Sequence, residues 1–335
     1  MNKIACFSRT SGKRVLLLLL ATFALSACTS SEKPPRALTS VTVQLRWTHD
    51  AQFAGFYAAD QNGYYAAEGL AATLIPGGPE VDSPTLVLKG AAQIGVAGAD
   101  ELILARAEGK PLRAIAAIYR RSPLVFIALA DSGIARPQDF VGKTVRVVPA
   151  HVPTLHAVTS RIGIRPDQYN EVALPSDLKL FASGQVPVWG AYLNGLALTV
   201  QQAGYQVNII YPDNYGVHLY ADTLFATDDL IAQNPDLVQR FLRATLKGWT
   251  YAVENPTTIG PMVVKYNPKT DAALEIAKMT ASLPLVNTGE DHIGWMKPQM
   301  WVGMEKTLRE QRVLTRPLDV TQVYTMQFLK EIYRK

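Results

Sequence analysis

The sequence predicts an α/β protein built of two lobes, and three features of its 335 residues support this. Strand-like and helix-like segments alternate from residue 41 to about 130, which favours a mainly parallel sheet. A second alternating series starts at Thr144, after turn signals in 131–144. A strand pattern at 222–226 would return the chain to the first sheet. We therefore expect two α/β lobes joined by hinge strands near 129–132 and 222–226, with a cleft between the lobes.

The elements of the first lobe follow from local patterns. Residues 41–45 alternate in polarity, which is typical of a strand. The segment 54–68 predicts a helix that Gly69 closes. The same reasoning predicts strands at 70–75, 94–97, 114–119 and 124–130, and helices at 83–89 and 99–108.

The second lobe and the C-terminal part follow in the same way. A long amphipathic helix opens at Asn234-Pro235 and runs to Glu254, with Phe241 and Trp249 on its apolar face. The remaining C-terminal segment is predicted to be helical. The predicted second-lobe elements are strands at 144–148, 171–174, 186–191 and 208–211, and helices at 154–162 and 176–183.

The N-terminal residues predict an export signal. Four basic residues precede an apolar run of 11 residues, Val15 to Leu25, which is too short to span a bilayer. The run ends in Leu25-Ser26-Ala27-Cys28, which resembles a bacterial lipobox; the alternative is an ordinary signal peptide with a chance cysteine. We therefore expect a signal peptide at 1–27 and a lipidated Cys28 followed by a linker to residue 40. The protein would then be anchored on the extracytoplasmic face of the cell membrane.

Charge and cysteine counts exclude several classes of function. The chain has 33 basic and 28 acidic residues, but four of the basic residues lie in 1–27, which leaves 29 against 28. No basic surface remains to favour nucleic acid as a partner. The two cysteines are Cys6 and Cys28, so the processed chain would offer no free thiol for catalysis or for zinc.

Motifs for catalysis are missing from the sequence. Gly77-Gly78-Pro79 lacks the Lys-Ser/Thr of a phosphate loop, and no nucleophile elbow or HExxH helix is present. His151 and His156 are five residues apart, which misses the spacing that places two ligands on one helix face. We therefore predict no catalytic residue, no metal site and no cofactor.

Aromatic residues at the ends of predicted strands are more informative. Trp47, Trp189, Tyr192 and Tyr215 lie in or beside loops, where each could either pack in the core or stack on a flat heteroaromatic ligand. Polar neighbours could bind the edges of such a ring. Asp100 and Glu101 open a helix and could instead complement its dipole, which is the favoured interpretation for Glu101. The candidate ligand contacts are Trp47, Gln52, Phe53, Asp100, Ser122, Thr154, Trp189, Tyr192, Asn194, Tyr215 and Asp222.

Several stretches together resemble one family, the NMT1/THI5-like solute-binding proteins. They are residues 43–59, Gly63-Tyr64-Tyr65, Glu68-Gly69-Leu70, residues 95–101, 215–217 and 220–225. The resemblance covers roughly 41–270. It implies a type II periplasmic-binding-protein fold that serves an ABC importer, with permease and ATPase subunits as partners. The implied division is lobe I at 41–131, lobe II at 132–221, and a return to lobe I with C-terminal helices at 222–335.

Within the family, the tract from Trp47 to Tyr57 is similar to a branch of riboflavin-binding lipoproteins from Chloroflexus-type bacteria. Pyrimidine-binding members tend to have Trp-x-Pro-Asn-Thr-Asn-His where this chain has Trp47 to Phe53. The family's Asn-Glu-Pro is replaced here by Asn194-Gly195-Leu196, and the missing carboxylate favours a neutral isoalloxazine over a protonated aminopyrimidine. The expected ligand is riboflavin or a related heterocycle, and the alternative is a thiamine-precursor pyrimidine.

A third possibility is an enzyme, because fungal relatives of the fold make the thiamine pyrimidine with pyridoxal phosphate and a cysteine-rich loop. The lack of cysteines outside the signal and lipobox argues against this, and so does the export signal. The resemblance therefore implies a binding protein that releases its ligand unchanged.

Overall fold

The computed structural model describes residues 37–334, and these contain ten strands and thirteen α-helices. The expected signal peptide, the lipidation at Cys28 and most of the linker lie outside the described residues. The strands are β1 (Thr39–Gln44), β2 (Leu70–Ile75), β3 (Ile94–Gly98), β4 (Leu112–Ala117), β5 (Leu124–Leu129), β6 (Thr144–Arg146), β7 (Asn170–Val172), β8 (Val188–Tyr192), β9 (Val207–Ile210) and β10 (Asp222–Thr227).

The helices connect these strands and then form the C-terminal third of the chain. They are α1 (Ala54–Gln61), α2 (Tyr64–Ala67), α3 (Ser83–Leu88), α4 (Ala99–Ala107), α5 (Val152–Arg161), α6 (Leu178–Ala182), α7 (Leu198–Gln202), α8 (Asp228–Gln233), α9 (Pro235–Glu254), α10 (Ile259–Tyr266), α11 (Ala272–Val286), α12 (Pro298–Glu310) and α13 (Gln327–Ile332). Of the helices between residues 37 and 334, none combines the length and the apolar character that crossing a bilayer requires.

The strands form two five-stranded sheets, which confirms the predicted two-lobed α/β architecture. The first sheet has the order β2-β1-β3-β10-β4 and the second the order β7-β6-β8-β5-β9. In each sheet the strand that arrives from the other lobe, β10 or β5, runs antiparallel to both of its neighbours. The sheets are therefore mixed rather than mainly parallel as the element order suggested, because each crossover strand enters from the opposite side.

The chain passes between the sheets earlier than the turn signals suggested. β5 pairs with β8 and β9 in the second sheet, so the first crossover lies at 118–123 and not at the expected hinge of 129–132. The return crossover lies at 211–221, just before the expected 222–226, which is β10 of the first sheet.

The two crossovers run side by side. The backbone N–H of Ala221 donates to the carbonyl of Tyr119 (2.9 Å), and the N–H of Ile118 donates to the carbonyl of Asp222 (2.8 Å). These bonds join the two connections into a short paired hinge.

The longest helix behaves as predicted. The side chain of Asn234 accepts a hydrogen bond from the N–H of Leu237 (3.2 Å), and Pro235 occupies the first turn of α9. Trp249, on the apolar face of α9, is buried in the first-lobe core. Gly248 lets α9 lie directly on α1, because a Cβ at this position would overlap the carbonyl oxygen of Gly55.

The predicted helix at 54–68 is divided in two. Gly63 has a φ of 70°, a left-handed conformation that ends α1 and begins α2. The hydrophobic cores follow the two sheets. The first lobe and the C-terminal helices share one core, whereas the second sheet has a separate core on each face.

Candidate functional site

Sheet geometry brings the ends of three first-lobe strands to one edge. β1 and β3 are parallel, so the residues after both strands lie at the same edge of the sheet. β10 is antiparallel to β3 and pairs Asp222 with Gly98, so the beginning of β10 lies at that edge too. The loop after β1, the first turn of α4 and Asp222 therefore meet at one place, the first-lobe side of the cleft.

A charged cluster occupies this edge. Arg46 donates from Nη2 to Glu101 Oε1 (2.6 Å) and from Nη1 to Asp222 Oδ1 (3.3 Å). Burial alone would lower the pKa of Arg46, but the carboxylates of Glu101 and Asp222 outweigh burial and raise it above its ordinary value. Arg46 therefore stays charged and holds two acidic side chains in place.

Asp222 is the buried member of this cluster, with 4% of its surface exposed. Its second carboxylate oxygen accepts a hydrogen bond from Gln52 Nε2 (2.7 Å). Burial raises the pKa of Asp222, and the charge of Arg46 and the bond from Gln52 oppose that rise. The expected contacts Gln52 and Asp222 thus lie together and are hydrogen-bonded to each other.

The turn that carries Gln52 is fixed by a second set of charges. Asp50 caps the turn Ala51–Phe53 by accepting from the N–H of Gln52 (2.9 Å). Glu275 Oε2 accepts from the N–H of Ala51 (2.6 Å), and Lys278 Nζ lies 2.8 Å from Glu275 Oε1 and 3.6 Å from Asp50 Oδ2. Helix α11 therefore positions the polar turn at the cleft.

The second lobe contributes a pair of rings. Tyr192 ends β8, and its ring stacks on His151 at a centroid distance of 5.1 Å and an angle of 26°. His151 Nε2 lies 3.3 Å from the hydroxyl of Tyr192. Burial lowers the pKa of His151 to about 4, so the imidazole is neutral near pH 7 and its face is available for stacking.

The rings of the second lobe lie close to the charges of the first. Burial raises the pKa of Tyr192 to about 12, and Arg46 opposes the rise while Asp222 and Asp100 add to it. The pKa of His151 responds to Asp100 and Arg46 as well. The rings of Tyr192 and His151 are therefore close enough to these first-lobe charges to interact with them electrostatically.

Two predicted ligand contacts, Trp189 and Phe53, are buried in the protein core. Trp189 is only 1% exposed, packs on Phe181 and carries the guanidinium of Arg146 5.3 Å above its ring. Phe53 is fully buried in the first-lobe core. Trp189 does not lie beside Tyr192 because the two residues are three apart on β8, so their side chains lie on opposite faces of the strand.

Asn194 bridges the lobes rather than opening into the cleft. Its Nδ2 donates to Ser282 Oγ (2.9 Å) on α11 and lies 3.4 Å from the hydroxyl of Tyr119. Both partners are buried in the first lobe. The predicted contact Asn194 therefore lies in a contact between the lobes.

The other predicted contacts lie at different depths. Trp47 is 42% exposed in the loop after β1, Asp100 is half-buried in the first turn of α4, and Thr154 is buried at the start of α5. Ser122 lines a cavity of about 480 Å³ at the hinge, together with Arg121, Tyr211, Asp213 and others from both crossovers. Tyr215 is half-buried against the second-lobe core.

The sequence did not single out Arg46 or His151 as ligand contacts, and it favoured a dipole role for Glu101. Arg46 directly follows β1, and strand ends at a sheet edge are a signal that could have selected it. Between residues 37 and 334, no group of three or more His, Cys, Asp or Glu side chains is arranged to hold a metal ion.

Comparison with known proteins supports a single family. A family model described as NMT1/THI5 like matches residues 50–259. The riboflavin-binding protein RibY of Chloroflexus aurantiacus is 26% identical, over 96% of this chain and 97% of its own. The formylaminopyrimidine-binding protein of Halalkalibacterium halodurans is 29% identical, over 72% of this chain and 76% of its own.

An enzyme and a solved structure are also similar. A 4-amino-5-hydroxymethyl-2-methylpyrimidine phosphate synthase of Legionella pneumophila is 24% identical, over 87% of this chain and 92% of its own. The crystal structure of a putative sulfonate ABC transporter protein, the periplasmic sulfonate-binding protein SsuA of Methylobacillus flagellatus, matches with a TM-score of 0.69. That match has 15% identity and covers 89% of this chain and 94% of the other, which shows a shared periplasmic-binding-protein fold.

Proposed function

The chain belongs to the NMT1/THI5-like family, and from this premise we propose that it is an extracytoplasmic solute-binding protein of an ABC importer whose ligand is riboflavin. The observation that carries the proposal is the composition of the cleft. We infer that the stacked rings of Tyr192 and His151 and the hydrogen-bonded cluster of Arg46, Gln52 and Asp222 line the same cleft. A flat heterocycle with polar edges suits this combination.

Isoalloxazine has a flat three-ring body and a polar pyrimidine-dione edge. The body would lie against Tyr192, and the edge would exchange hydrogen bonds with Gln52 and Arg46. Each polar ring atom buried without a partner would cost about 1–3 kcal/mol, so donors and acceptors fixed in advance favour binding. The likeness to RibY over 96% of the chain supports riboflavin as the ligand.

Delivery to a membrane permease completes the proposed function. The lobes would close about the paired crossovers, hold the ligand, and release it unchanged at the permease. The signal peptide and the lipid on Cys28 predicted from the sequence would keep the protein at the outer face of the cell membrane.

A thiamine-precursor pyrimidine is the second candidate ligand. Similarity to the formylaminopyrimidine-binding protein favours it, and so do the carboxylates of Glu101 and Asp222, which could bind an aminopyrimidine. The relative named as a pyrimidine phosphate synthase raises an enzyme as a third possibility.

Titration of the purified full-length protein with riboflavin separates these possibilities. We expect saturable quenching of flavin fluorescence, and flavin absorbance that copurifies from a riboflavin-fed host. If flavin fluorescence is not quenched but hydroxymethylpyrimidine or formylaminopyrimidine binds in calorimetry, the ligand is a pyrimidine and not riboflavin. Conversion of a bound compound into a new product, detected by mass spectrometry, would contradict a binding function.

A further inference from the structure

Within residues 37–334, the cluster of Glu101, Asp222 and Gln52 contains one guanidinium, that of Arg46, and its charge is already paired. Arg46 lies within 2.6 Å of Glu101 and 3.3 Å of Asp222, so its charge is shared between two carboxylates. An incoming anion would have to compete with both for the same donors.

Carboxylates outnumber this guanidinium at the same edge. Asp100 and Glu101 both lie in the first turn of α4. Both also lie against Gly98, where an added Cβ would overlap Asp100 Oδ1 and approach Glu101 Oε1 to 3.1 Å. The start of a helix often binds anions, but here it is already covered by the helix's own acidic side chains.

Two further cations near the site are also engaged. Lys278 is paired with Glu275 at 2.8 Å and with Asp50 at 3.6 Å. Arg146 is buried and donates to the carbonyls of Leu174 (2.8 Å) and Gly190 (3.2 Å). Neither side chain stands ready to bind a phosphate or a sulfonate.

We infer that the cleft takes an uncharged or cationic heterocycle and rejects the same heterocycle when it carries a phosphate or sulfonate group. This inference rests on the proposed function, because it names the charge class of ligand for the same cleft. The physical cause is the surplus of carboxylates around Arg46, which repels an anion. The unmodified vitamin is therefore selected over its phosphate ester.

The start of α5 is the feature that could oppose this preference. Its first turn carries no acidic residue, and Thr154 lies there beside His151. However, Pro153 lacks a backbone N–H, and His151 is neutral because burial lowers its pKa to about 4. This end of the cleft therefore suits a hydroxyl group better than an anion.

Parallel titrations with riboflavin and riboflavin 5′-phosphate test the inference in the full-length protein. We expect the phosphate to bind at least about 10-fold more weakly, which corresponds to about 1.4 kcal/mol. The ratio of the two dissociation constants, phosphate over riboflavin, should shrink as salt rises. It should also shrink in Glu101→Gln, which removes one carboxylate and frees a donor of Arg46. The matched control is Glu108→Gln, an exposed charge just beyond the other end of the same helix, which should leave the ratio unchanged.

The outcomes separate the inference from the proposed function. Equal or tighter binding of the phosphate overturns the inference alone. A ratio that Glu101→Gln and salt leave unchanged is steric in origin and also overturns it. If riboflavin does not bind, the same comparison of hydroxymethylpyrimidine with its phosphate tests the charge class on the second candidate. If no heterocycle binds, both proposals are wrong.

Discussion

The two lobes contribute different chemistry to the proposed ligand site. The first lobe supplies charged and amide groups, Arg46, Gln52 and Asp222, which are held by hydrogen bonds before any ligand arrives. The second lobe supplies the rings of Tyr192 and His151, which are held by stacking. The first lobe would therefore set the orientation and charge of the ligand, whereas the second would supply much of the contact area.

The two faces of β8 should differ in their roles, because Trp189 lies on one face and Tyr192 on the other. Replacing Trp189 with Leu should lower the free energy of unfolding by about 2–4 kcal/mol, because a buried indole leaves a cavity beside Phe181 and Arg146. Urea unfolding followed by circular dichroism measures the loss. Ligand affinity of the folded fraction should remain as in the parent protein, and a selective loss of affinity would instead place Trp189 at the ligand.

The first-lobe cluster should depend strongly on its guanidinium. Arg46→Ala should destabilise the fold by about 2–3 kcal/mol, because Asp222 would remain buried without its charged partner. The matched control is Arg136→Ala in the second lobe, whose pair with Asp139 is exposed and should contribute about 1 kcal/mol or less. Equal effects of the two variants in thermal unfolding would contradict a distinct role for the first-lobe cluster.

The second lobe should act on affinity more than on stability. Tyr192→Leu removes the stacking ring and should weaken riboflavin binding by about 10- to 100-fold, measured by flavin fluorescence. Tyr205→Leu is the control, because Tyr205 packs on the other face of the same sheet, with the core that contains Trp189. Unchanged affinity in Tyr192→Leu would show that the second lobe does not contribute its ring.

The stability of the first lobe should also depend weakly on pH through Asp50. Burial raises the pKa of Asp50 from 3.8 to about 6, although Lys278 opposes the shift. The folded protein then holds this proton more tightly than the unfolded chain, so its stability should fall as pH rises from about 4 to about 6. Asp50→Asn should remove about 1–2 kcal/mol of that fall, measured by urea unfolding across this range.

Asp319 provides a control of opposite sign. Hydrogen bonds from Thr321 lower the pKa of Asp319, so this group stabilises the fold above its ordinary pKa and the contribution disappears as pH falls. Asp319→Asn should therefore reduce the loss of stability that occurs as pH falls. If the two variants changed the pH profile in the same direction, the cleft and surface carboxylates would not differ as described.

Local signals in the sequence predicted most elements of the fold. The cap at Asn234 and the apolar periodicity that follows it are contained within α9 itself, so the helix could be identified without its neighbours. The apolar run of β5 predicted a buried strand, but its sheet depends on pairing with β8 and β9, 60 or more residues later in the chain. That non-local choice moved the first crossover away from the predicted hinge.

The candidate site was predictable only in part for the same reason. Gln52, Asp100 and Asp222 follow or begin strands, and the sheet brings these ends together. Arg46 binds a residue 55 positions away and another 176 positions away, which no local pattern reveals. For Trp189 and Tyr192, strand alternation shows that they lie on opposite faces, but packing decides which face opens to the cleft.

Asp222 takes part in both the first-lobe cluster and the backbone contacts between the two crossovers. Its side chain belongs to the first-lobe cluster, while its carbonyl accepts from Ile118 at the place where the two crossovers meet. A ligand that displaced this carboxylate would therefore be expected to disturb the hydrogen bonds between the two crossovers as well. Backbone amide resonances of Ile118 and Tyr119 would register occupancy of the cleft without any label on the guest.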